Sequence, residues 1–308
     1  MGKKGKAGQR KAALKQAKKN AAKSSRNHQE KQGISKPAHK KAQQHAGGAA
    51  SAERKDASCS APAGLPRCPY ESHQRTLLLG EGDFSFAAAL CCLWGDASNL
   101  IATAYDDEAA CKFKYAKLTD HVEVIRAAGG RVFFGVDAAQ CHRHGTLRNE
   151  PAFDRIIFNF PHAGAGIKDQ KRNVETNQVL LRGSFTAAAQ LLAAGGQFHV
   201  TLKRGQPYDS WGAVLIARMA GLRVASCSTF VAAAFPGYAH RRTLGDEHAG
   251  DAGASPNAEV ASAKTYAFVS AEEFKEAKAE MEQRKEGKRS CATGKAISKK
   301  TPYGVRKM

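Results

Sequence analysis

An apolar run that leads directly into a glycine turn constrains the fold of this chain more than any other feature. Residues 77–79 are three consecutive leucines, typical of a short buried strand, and Gly80 and Gly82 follow at once. Glycine lets the backbone approach a ligand more closely than any side chain permits. Asp83 and Ser85 are good N-cap residues and predict that a helix begins there. A strand, a Gly-x-Gly turn and a helix form the cradle with which doubly wound α/β proteins hold nucleotide-like ligands.

Strand and helix patterns alternate along the chain from residue 75 onward. The predicted strands are 76–80, 100–106, 131–137, 153–160, 197–202, 222–231 and 265–270, and the predicted helices are 84–94, 109–127, 174–194 and 210–220. Paired glycines at 129–130 and 195–196 are typical helix stops. Repeated β-α units with apolar strands favour a mostly parallel sheet that helices cover on both faces. We therefore predict an α/β fold with a mostly parallel seven-stranded sheet.

The positive charge of the chain is concentrated at its two ends. The formal net charge is +20 over 308 residues, yet residues 1–57 carry 16 basic and 3 acidic side chains and residues 271–308 carry 11 and 6. The first segment has almost no large apolar side chains, so it is predicted to be disordered, with a transient helix at 11–23. We expect a basic tail at 1–72, one domain at 73–270, and a partly helical or disordered basic tail at 271–308.

Basic tails on a nearly neutral domain suggest a polyanionic partner. Such clusters serve phosphate contact and nuclear or nucleolar import equally well, and a tail that only aids solubility is the simpler alternative. The sequence shows neither a secretory signal nor a membrane span, so nucleolus or nucleus is the expected location, with cytoplasm as the alternative.

The cysteines indicate a reducing compartment rather than a metal or disulfide framework. There are eight, and no Cys-x-x-Cys occurs among them. The segment Cys-His-Arg-His at 141–144 matches no common zinc spacing and lacks a second ligand pair. We therefore predict no metal site.

Polar and glycine residues follow each of the first five predicted strands. Parallel sheets bind ligands at the carboxyl ends of their strands, so this shared position favours a site. A lone aspartate at such a point is more often a turn or cap residue. The group comprises Gly80-Glu81-Gly82-Asp83, Asp106-Asp107, Asp137, Asn159-Phe160-Pro161-His162 and Lys203-Arg204.

The glycine turn favours S-adenosylmethionine over a dinucleotide. A dinucleotide fold requires a third glycine, and Ser85 occupies that position. An acid at the end of the second strand, Asp106, is placed to accept hydrogen bonds from ribose hydroxyls. Asp137 is expected near the adenine edge, where a carboxylate accepts from the exocyclic amine. The methionine portion would then lie across Gly80 and Gly82, with its ammonium group facing Glu81 or Asp83.

The end of the fourth strand predicts a site for a planar base. Asn159-Phe160-Pro161-His162 is similar to the Asn/Asp-Pro-Pro-aromatic loop with which many nucleic-acid amino-methyltransferases hold a base. An amide and a proline-fixed backbone carbonyl accept from N–H groups, and an aromatic face stacks on the base. A strand that simply ends with Asn and Pro is the alternative.

Five longer segments identify a family resemblance. They are GEGDFSF (80–86), ATAYDDE (102–108), FDRIIFNFPHAG (153–164), HVTLKRGQPYDSW (199–211) and FPGYAHRRT (235–243). Together they resemble the ribosomal RNA uridine-N(3) methyltransferase-like family. The resemblance implies a Rossmann-like class I methyltransferase fold, S-adenosylmethionine as cofactor, and methylation of a uridine in large-subunit ribosomal RNA. Asp83 stands where that family often has Asn, and an insert at 245–258 is expected to be a surface loop.

A methyl transfer of this kind requires alignment and the departure of the proton on uridine N3. His162 is the first candidate for a general base and Asp83 the second, with a water path as the alternative. Asn159 and the backbone of Phe160 and Pro161 are expected to orient the base. The strand-four and strand-six loops contain no cysteine in the setting of a nucleophile, which argues against carbon methylation through a covalent adduct.

Four cations beside this loop are expected to contact RNA phosphates: Lys203, Arg204, Arg241 and Arg242. Tyr208 and Trp211 either shape the substrate cleft or pack a helix onto the sheet. The expected partner is ribosomal RNA or a pre-ribosomal particle, and the basic tails would add salt-sensitive affinity for it.

Three other functions remain open from the residues. A ribosome-assembly factor that has lost the chemistry is the main alternative, and the intact glycine turn argues against it. A nicotinamide-dependent oxidoreductase is disfavoured by the missing third glycine. A nucleic-acid-binding module would use the tails and keep the core as a scaffold.

Overall fold

The computed structural model describes residues 66–243 and 257–297, with side chains up to residue 285. The chain divides into two units, Met1–Asp56 and Ala57–Met308, and all described residues belong to the second. The predicted helix at 11–23, residues 1–65 of the predicted basic tail and most of the insert at 245–258 lie outside the described residues.

Seven strands form one sheet in the order β3-β2-β1-β4-β5-β7-β6. They are β1 (Thr76–Leu79), β2 (Leu100–Thr103), β3 (Arg131–Phe133), β4 (Phe153–Asn159), β5 (Leu192–Leu202), β6 (Leu222–Thr229) and β7 (Lys264–Ser270). The pairs among β1 to β5 are parallel, whereas β7 is antiparallel to both β5 and β6. The predicted mostly parallel seven-stranded sheet is confirmed.

In the described part of the chain, six α-helices accompany the sheet: α1 (Ser85–Trp94), α2 (Glu108–Lys114), α3 (Leu118–Ala127), α4 (Gln170–Leu191), α5 (Ala213–Met219) and α6 (Ala271–Ile297). The single helix predicted at 109–127 is two, because the chain turns to extended geometry at Tyr115. That residue is buried, and its hydroxyl donates to the carbonyl of Arg242. Helix α4 begins four residues before the predicted start, since Asp169 caps it by accepting from the N–H of Arg172.

Strand β1 lies inside the sheet, between β2 and β4. Its side chains alternate between two cores: Leu78 joins the core with α1 and α3, and Leu77 and Leu79 join the core with α4. Chain order reverses at β1, with β2 on one side and β4 on the other, which is where open α/β sheets form their binding crevice. The glycine turn therefore emerges at the crevice, beside the end of β4.

Among the described residues, no helix combines the length and apolar character needed to cross a membrane.

Candidate functional site

A cleft of about 420 Å³ opens at the carboxyl ends of the central strands. Every residue predicted to bind the cofactor lines it, together with three residues of the strand-four loop. These residues are Gly80, Glu81, Gly82, Asp83, Asp106, Asp137, Asn159, Phe160 and His162. The two predicted sites therefore share one cavity.

The surroundings of both glycines in the turn leave little room for a side chain. Gly80 has a φ of +64°, and a Cβ there would overlap the ring of Phe158. A Cβ at Gly82 would lie 3.2 Å from the hydroxyl of Tyr115, which itself lines the cleft. Phe84, two residues after Gly82, also has left-handed backbone geometry, with a φ of 60°. The turn is thus a tight backbone cradle that a side chain would fill.

Two carboxylates of the turn have different environments. Asp83 is buried: its Oδ1 accepts from the N–H of Ser85 at 3.0 Å, and its Oδ2 accepts from Nε of Arg241 at 2.8 Å. Glu81 makes a longer contact, with Oε2 3.4 Å from the N–H of Ala87. Burial, and secondarily the charge of Asp83, raises the pKa of Glu81 to about 8.

This difference distinguishes Glu81 from Asp83, which the sequence left as alternative partners of the ammonium group. Both oxygens of Asp83 are engaged by groups of the protein, one by the N–H of Ser85 and the other by the guanidinium of Arg241. The arrangement therefore does not support Asp83 as a general base or as the partner of an ammonium group. Glu81 is the carboxylate of the turn that a cation in the cleft can reach.

Asp106 and Asp137 follow β2 and β3 and face the same cleft. Lys114 donates from Nζ to Oδ2 of Asp106 at 2.6 Å, and Oδ1 of Asp137 accepts from the N–H of Ala139 at 2.8 Å. Among the described residues, no hydrogen bond engages the second oxygen of either carboxylate. Each keeps an acceptor for a ligand hydroxyl or amine.

The amide of Asn159 is held by two threonines on adjacent strands. Asn159, Thr201 and Thr265 stand in register across β4, β5 and β7. Oγ1 of Thr201 donates to Oδ1 of Asn159 at 2.7 Å and lies 2.9 Å from Oγ1 of Thr265. The Nδ2 group of Asn159 is buried and has no partner within the described part of the chain. The amide thus has an engaged acceptor and a free donor.

The loop after β4 is strained and packed. Phe160 has a φ of 52°, which is unfavourable for a residue with a side chain. Its ring packs edge-to-face on Phe230 at 5.3 Å and on His240 at 4.6 Å. These contacts hold the turn that leads to Pro161 and His162.

His162 is placed differently from a general base. Its Nδ1 accepts from the N–H of Gly164 at 2.9 Å. Burial, and secondarily the charge of Lys203, lowers the pKa of His162, so the ring is neutral near pH 7. A neutral imidazole that accepts at Nδ1 carries its proton on Nε2. In this conformation His162 is a donor, and the interpretation of it as the proton acceptor is not supported.

A second cavity of about 310 Å³ lies on the other side of the strand-four loop. Five of the six predicted substrate-binding residues line it, namely Lys203, Tyr208, Trp211, Arg241 and Arg242, and Pro161 does as well. Arg204 lines neither cavity and is exposed. Phe160, His162 and Arg241 line both cavities.

Trp211 packs the fold and also lines the second cavity. It is 1% exposed and belongs to the core on the α4 side, so it packs the fold. It also lines the second cavity, where its ring centroid lies 5.0 Å from that of Tyr208 and 6.2 Å from that of His162. The floor of this cavity is therefore aromatic.

Three of the four predicted phosphate-binding cations are already ion-paired. Glu259 accepts from Nζ of Lys203 at 2.8 Å and from the guanidinium of Arg242, and these hydrogen bonds lower the pKa of Glu259 to about 2. Arg241 pairs with Asp83. Acids distant in sequence therefore pair with these three cations, and their contact with RNA phosphates stays a prediction. Arg204 is the exposed member.

Sequence reasoning missed His240 and Glu259. His240 lines both cavities, and burial lowers its pKa to about 4, so the ring is neutral. Its signal lay in the segment FPGYAHRRT, of which only the arginines were interpreted. Glu259 follows the insert and carries no local signal. In the described ranges, no three His, Cys, Asp or Glu side chains are grouped to hold a metal ion.

Comparison with known proteins gives this arrangement a family. Residues 77–242 match the family described as BMT5-like, rRNA (uridine-N3-)-methyltransferase BTM5-like. The chain belongs to this family. The matched segment of this BMT5-like chain extends from β1 to Arg242. It includes every residue that lines the two cavities except Thr243 and Glu259.

Two curated relatives of this BMT5-like chain show how far the similarity extends. The 25S rRNA (uridine(2634)-N(3))-methyltransferase of Saccharomyces cerevisiae is 30% identical over 235 residues, covering 58% of this chain and 69% of the yeast protein. Heavy metal-associated isoprenylated plant protein 41 of Arabidopsis thaliana is 36% identical over 174 residues, covering 56% of this chain and 34% of the plant protein. The chain thus spans about a third of the plant relative.

Among solved structures, TrmN from Thermus thermophilus is similar to this BMT5-like chain with 16% identity and a TM-score of 0.39, covering 64% of this chain and 44% of TrmN.

Proposed function

We propose that this chain transfers a methyl group from S-adenosylmethionine to ring nitrogen N3 of a uridine in large-subunit ribosomal RNA. One observation carries the proposal. The segment that matches the uridine-N3 methyltransferase family folds so that the glycine turn and the strand-four loop line a single cleft. A methyl donor and an acceptor base must meet in one such space for in-line transfer.

The residues at the cleft fit S-adenosylmethionine. Its sulfonium supplies an electrophilic methyl group, and methyltransferases of this kind use it. The cradle at Gly80 and Gly82 takes the methionine portion, and the carboxylate of Glu81 takes the ammonium group. Asp106 and Asp137 keep acceptor oxygens for the ribose hydroxyls and the adenine amine. The positive charge of the donor also favours a cleft lined with carboxylates.

The strand-four loop holds the uracil ring. Asn159 and the backbone at Phe160 and Pro161 orient it, and the aromatic side chains that line the two cavities pack beside it. The proton on N3 leaves to solvent, since Nδ1 of His162 is engaged by the N–H of Gly164 and the carboxylate of Asp83 is buried and paired with Arg241. His240 supports the strained Phe160 from the other side.

The RNA approaches over the second cavity and the exposed Arg204. We propose that the basic tail within residues 1–72 and the tail at 271–308 add sequence-independent phosphate contacts around the domain at 73–270. A ribosomal RNA or pre-ribosomal particle as partner, and action in the nucleolus or nucleus, follow from the same proposal.

The proposal is tested in two steps with the full chain. Calorimetry is expected to show binding of S-adenosylmethionine, which a scaffold that has lost the chemistry does not need. Mass spectrometry of nucleosides from large-subunit ribosomal RNA is expected to show 3-methyluridine in cells with the protein and its loss in cells without it. Folded protein that binds no S-adenosylmethionine, or RNA with unchanged 3-methyluridine, would overturn the proposal.

A further inference from the structure

The two polar side chains of the strand-four loop offer hydrogen-bond donors to the cleft. The acceptor Oδ1 of Asn159 is occupied by the hydroxyl of Thr201, and Nδ2 is buried without a partner among the described residues. The acceptor Nδ1 of His162 is occupied by the N–H of Gly164, which leaves its Nε2–H. Both side chains line the cleft and have their acceptors turned to the protein.

Thr201 decides which end of the Asn159 amide meets a ligand. Thr201 and Thr265 are in register, and their hydroxyl oxygens are 2.9 Å apart. A hydroxyl has one proton to donate, so Thr201 gives its proton to Asn159 and accepts from Thr265. Thr201 is fully buried, and no water competes for this chain of bonds.

Uracil is complementary to donors on both sides of its reactive nitrogen. N3 lies between the carbonyl groups C2=O2 and C4=O4, so the Watson–Crick edge presents acceptor, donor, acceptor. Adenine and cytosine instead present an exocyclic amine, which needs an acceptor, whereas the atom of Asn159 left without a partner among the described residues is the Nδ2 donor. When N3 loses its proton, the negative charge spreads onto the two oxygens, where donors stabilise it most.

Resting on the function proposed above, we propose that Asn159 and His162 select and activate uridine by donating hydrogen bonds to its carbonyl oxygens, with Thr201 as the positioning residue that turns the Asn159 amide. No side chain then acts as a general base. The electron pair of the N3–H bond forms the new N3–CH3 bond, the proton goes to water, and the pair of the old S–CH3 bond stays on sulfur.

The substitution Asn159→Asp separates the two possible orientations of the amide. A carboxylate keeps the bond from Thr201 and replaces the donor with an acceptor that repels the carbonyl oxygen. We expect methylation of a large-subunit ribosomal RNA transcript to fall by about 100-fold or more in kcat. If Asn159 presents its oxygen instead, N159D keeps near wild-type activity, and that result overturns the proposal.

Two substitutions of His162 distinguish a donor from a base. His162→Gln keeps an N–H donor, and we expect it to lose much less than the ~100-fold that removal of a general base costs. His162→Phe keeps a ring and removes the donor, and we expect a loss of about 100-fold. The kcat of the wild type is expected to rise with pH without levelling near neutrality. Equal losses in H162Q and H162F, or a plateau near pH 6, would show a base.

Sulfur-substituted transcripts test the contact itself. Sulfur accepts hydrogen bonds weakly, so wild-type kcat is expected to fall on transcripts made with either 2-thiouridine or 4-thiouridine. Asn159→Ala is expected to lose sensitivity to one of the two thio substitutions, which a purely structural defect would not do. Thr201→Val is expected to match N159A in this respect, and Thr201→Ser is expected to restore the wild-type pattern. If kcat falls by the same factor in the wild type and in N159A on each thio-substituted transcript, the proposed hydrogen bond from Asn159 is overturned.

Circular dichroism and calorimetry with S-adenosylmethionine establish that each variant is folded and binds its cofactor. A wild type that forms no 3-methyluridine on the transcript refutes the proposed function. An active wild type whose N159D variant is equally active refutes only the donor assignment.

Discussion

The cleft and the second cavity are both lined by acidic and basic side chains, but these side chains are brought together in different ways. In the cleft, Glu81, Asp106 and Asp137 follow the ends of their strands and line the cavity. In the second cavity, Lys203 and Arg242 turn to Glu259, which lies 56 and 17 residues away in sequence. A site made of strand ends can be predicted from local pattern, whereas a site made of ion pairs depends on which distant segments meet.

Added bulk in the glycine turn should have the largest effect on the cleft and none on the second cavity. Gly82→Val pushes a branched side chain against the hydroxyl of Tyr115, and such overpacking costs about 1–3 kcal/mol. We expect the affinity for S-adenosylmethionine to fall by about 10–100-fold in calorimetry. Gly145→Ala is the matched control, because a Cβ there meets nothing within 4 Å. Unchanged affinity in folded G82V protein would remove the turn from the cofactor site.

The affinity for S-adenosylmethionine should depend on pH through Glu81. Its pKa of about 8 means that the carboxyl is mostly protonated at pH 7, and a bound ammonium group favours the charged form. We expect the affinity to rise about tenfold per pH unit between pH 6 and 7 and to level off above pH 8. At pH 7, binding should release nearly one proton to the buffer.

Calorimetry in buffers with different ionisation enthalpies measures that proton. Glu81→Gln is expected to abolish both the proton release and the pH dependence, whereas Glu123→Gln, at an exposed position on α3, should keep both. Proton release by E81Q equal to that of the wild type would assign the titration to another group.

The two arginines at 241 and 242 allow a direct comparison of the regions. Arg241→Met leaves the buried carboxylate of Asp83 without its partner, and breaking a buried pair costs about 3 kcal/mol in the free energy of unfolding. Arg242→Met breaks an exposed pair with Glu259, for which about 0.5 kcal/mol is expected. Urea unfolding at pH 7 gives both values. Equal losses in the two variants would contradict the different burial of the two acids.

Removing the acid of the second cavity should have the smallest effect. It should raise the affinity for RNA, whereas the substitutions above lower an affinity or the stability. Glu259→Gln releases Lys203 and Arg242 for phosphate contact. We expect RNA affinity to rise a few-fold at low salt and the gain to vanish at high salt, because phosphate contacts release counterions. Filter binding over a salt series measures this, with Glu272→Gln on α6 as the control. Weaker RNA binding by E259Q would show that Glu259 holds the cations in their binding geometry.

The order of elements and the carboxylates of the cleft were predictable because they follow from chain-local chemistry. Apolar runs of strand length and polar residues at strand ends are properties of short segments. The glycines at 195–196 were wrong as a helix stop, since α4 ends at Leu191 and both glycines lie within β5. The break at Tyr115 was not predictable, since helical spacing continues through it. That residue leaves the helix to bury its ring and bond the carbonyl of Arg242, more than a hundred residues away.

By itself, the sequence determined the mostly parallel α/β sheet, the glycine turn after its first strand and the family to which the chain belongs. Only the tertiary structure decided the state of each polar group: Asp83 paired with Arg241, His162 bonded through Nδ1, and the Asn159 amide turned by Thr201. The physical reason is that a hydrogen bond uses one lone pair or one proton. Whether a side chain remains an acceptor or a donor depends on the neighbour that folding brings to it.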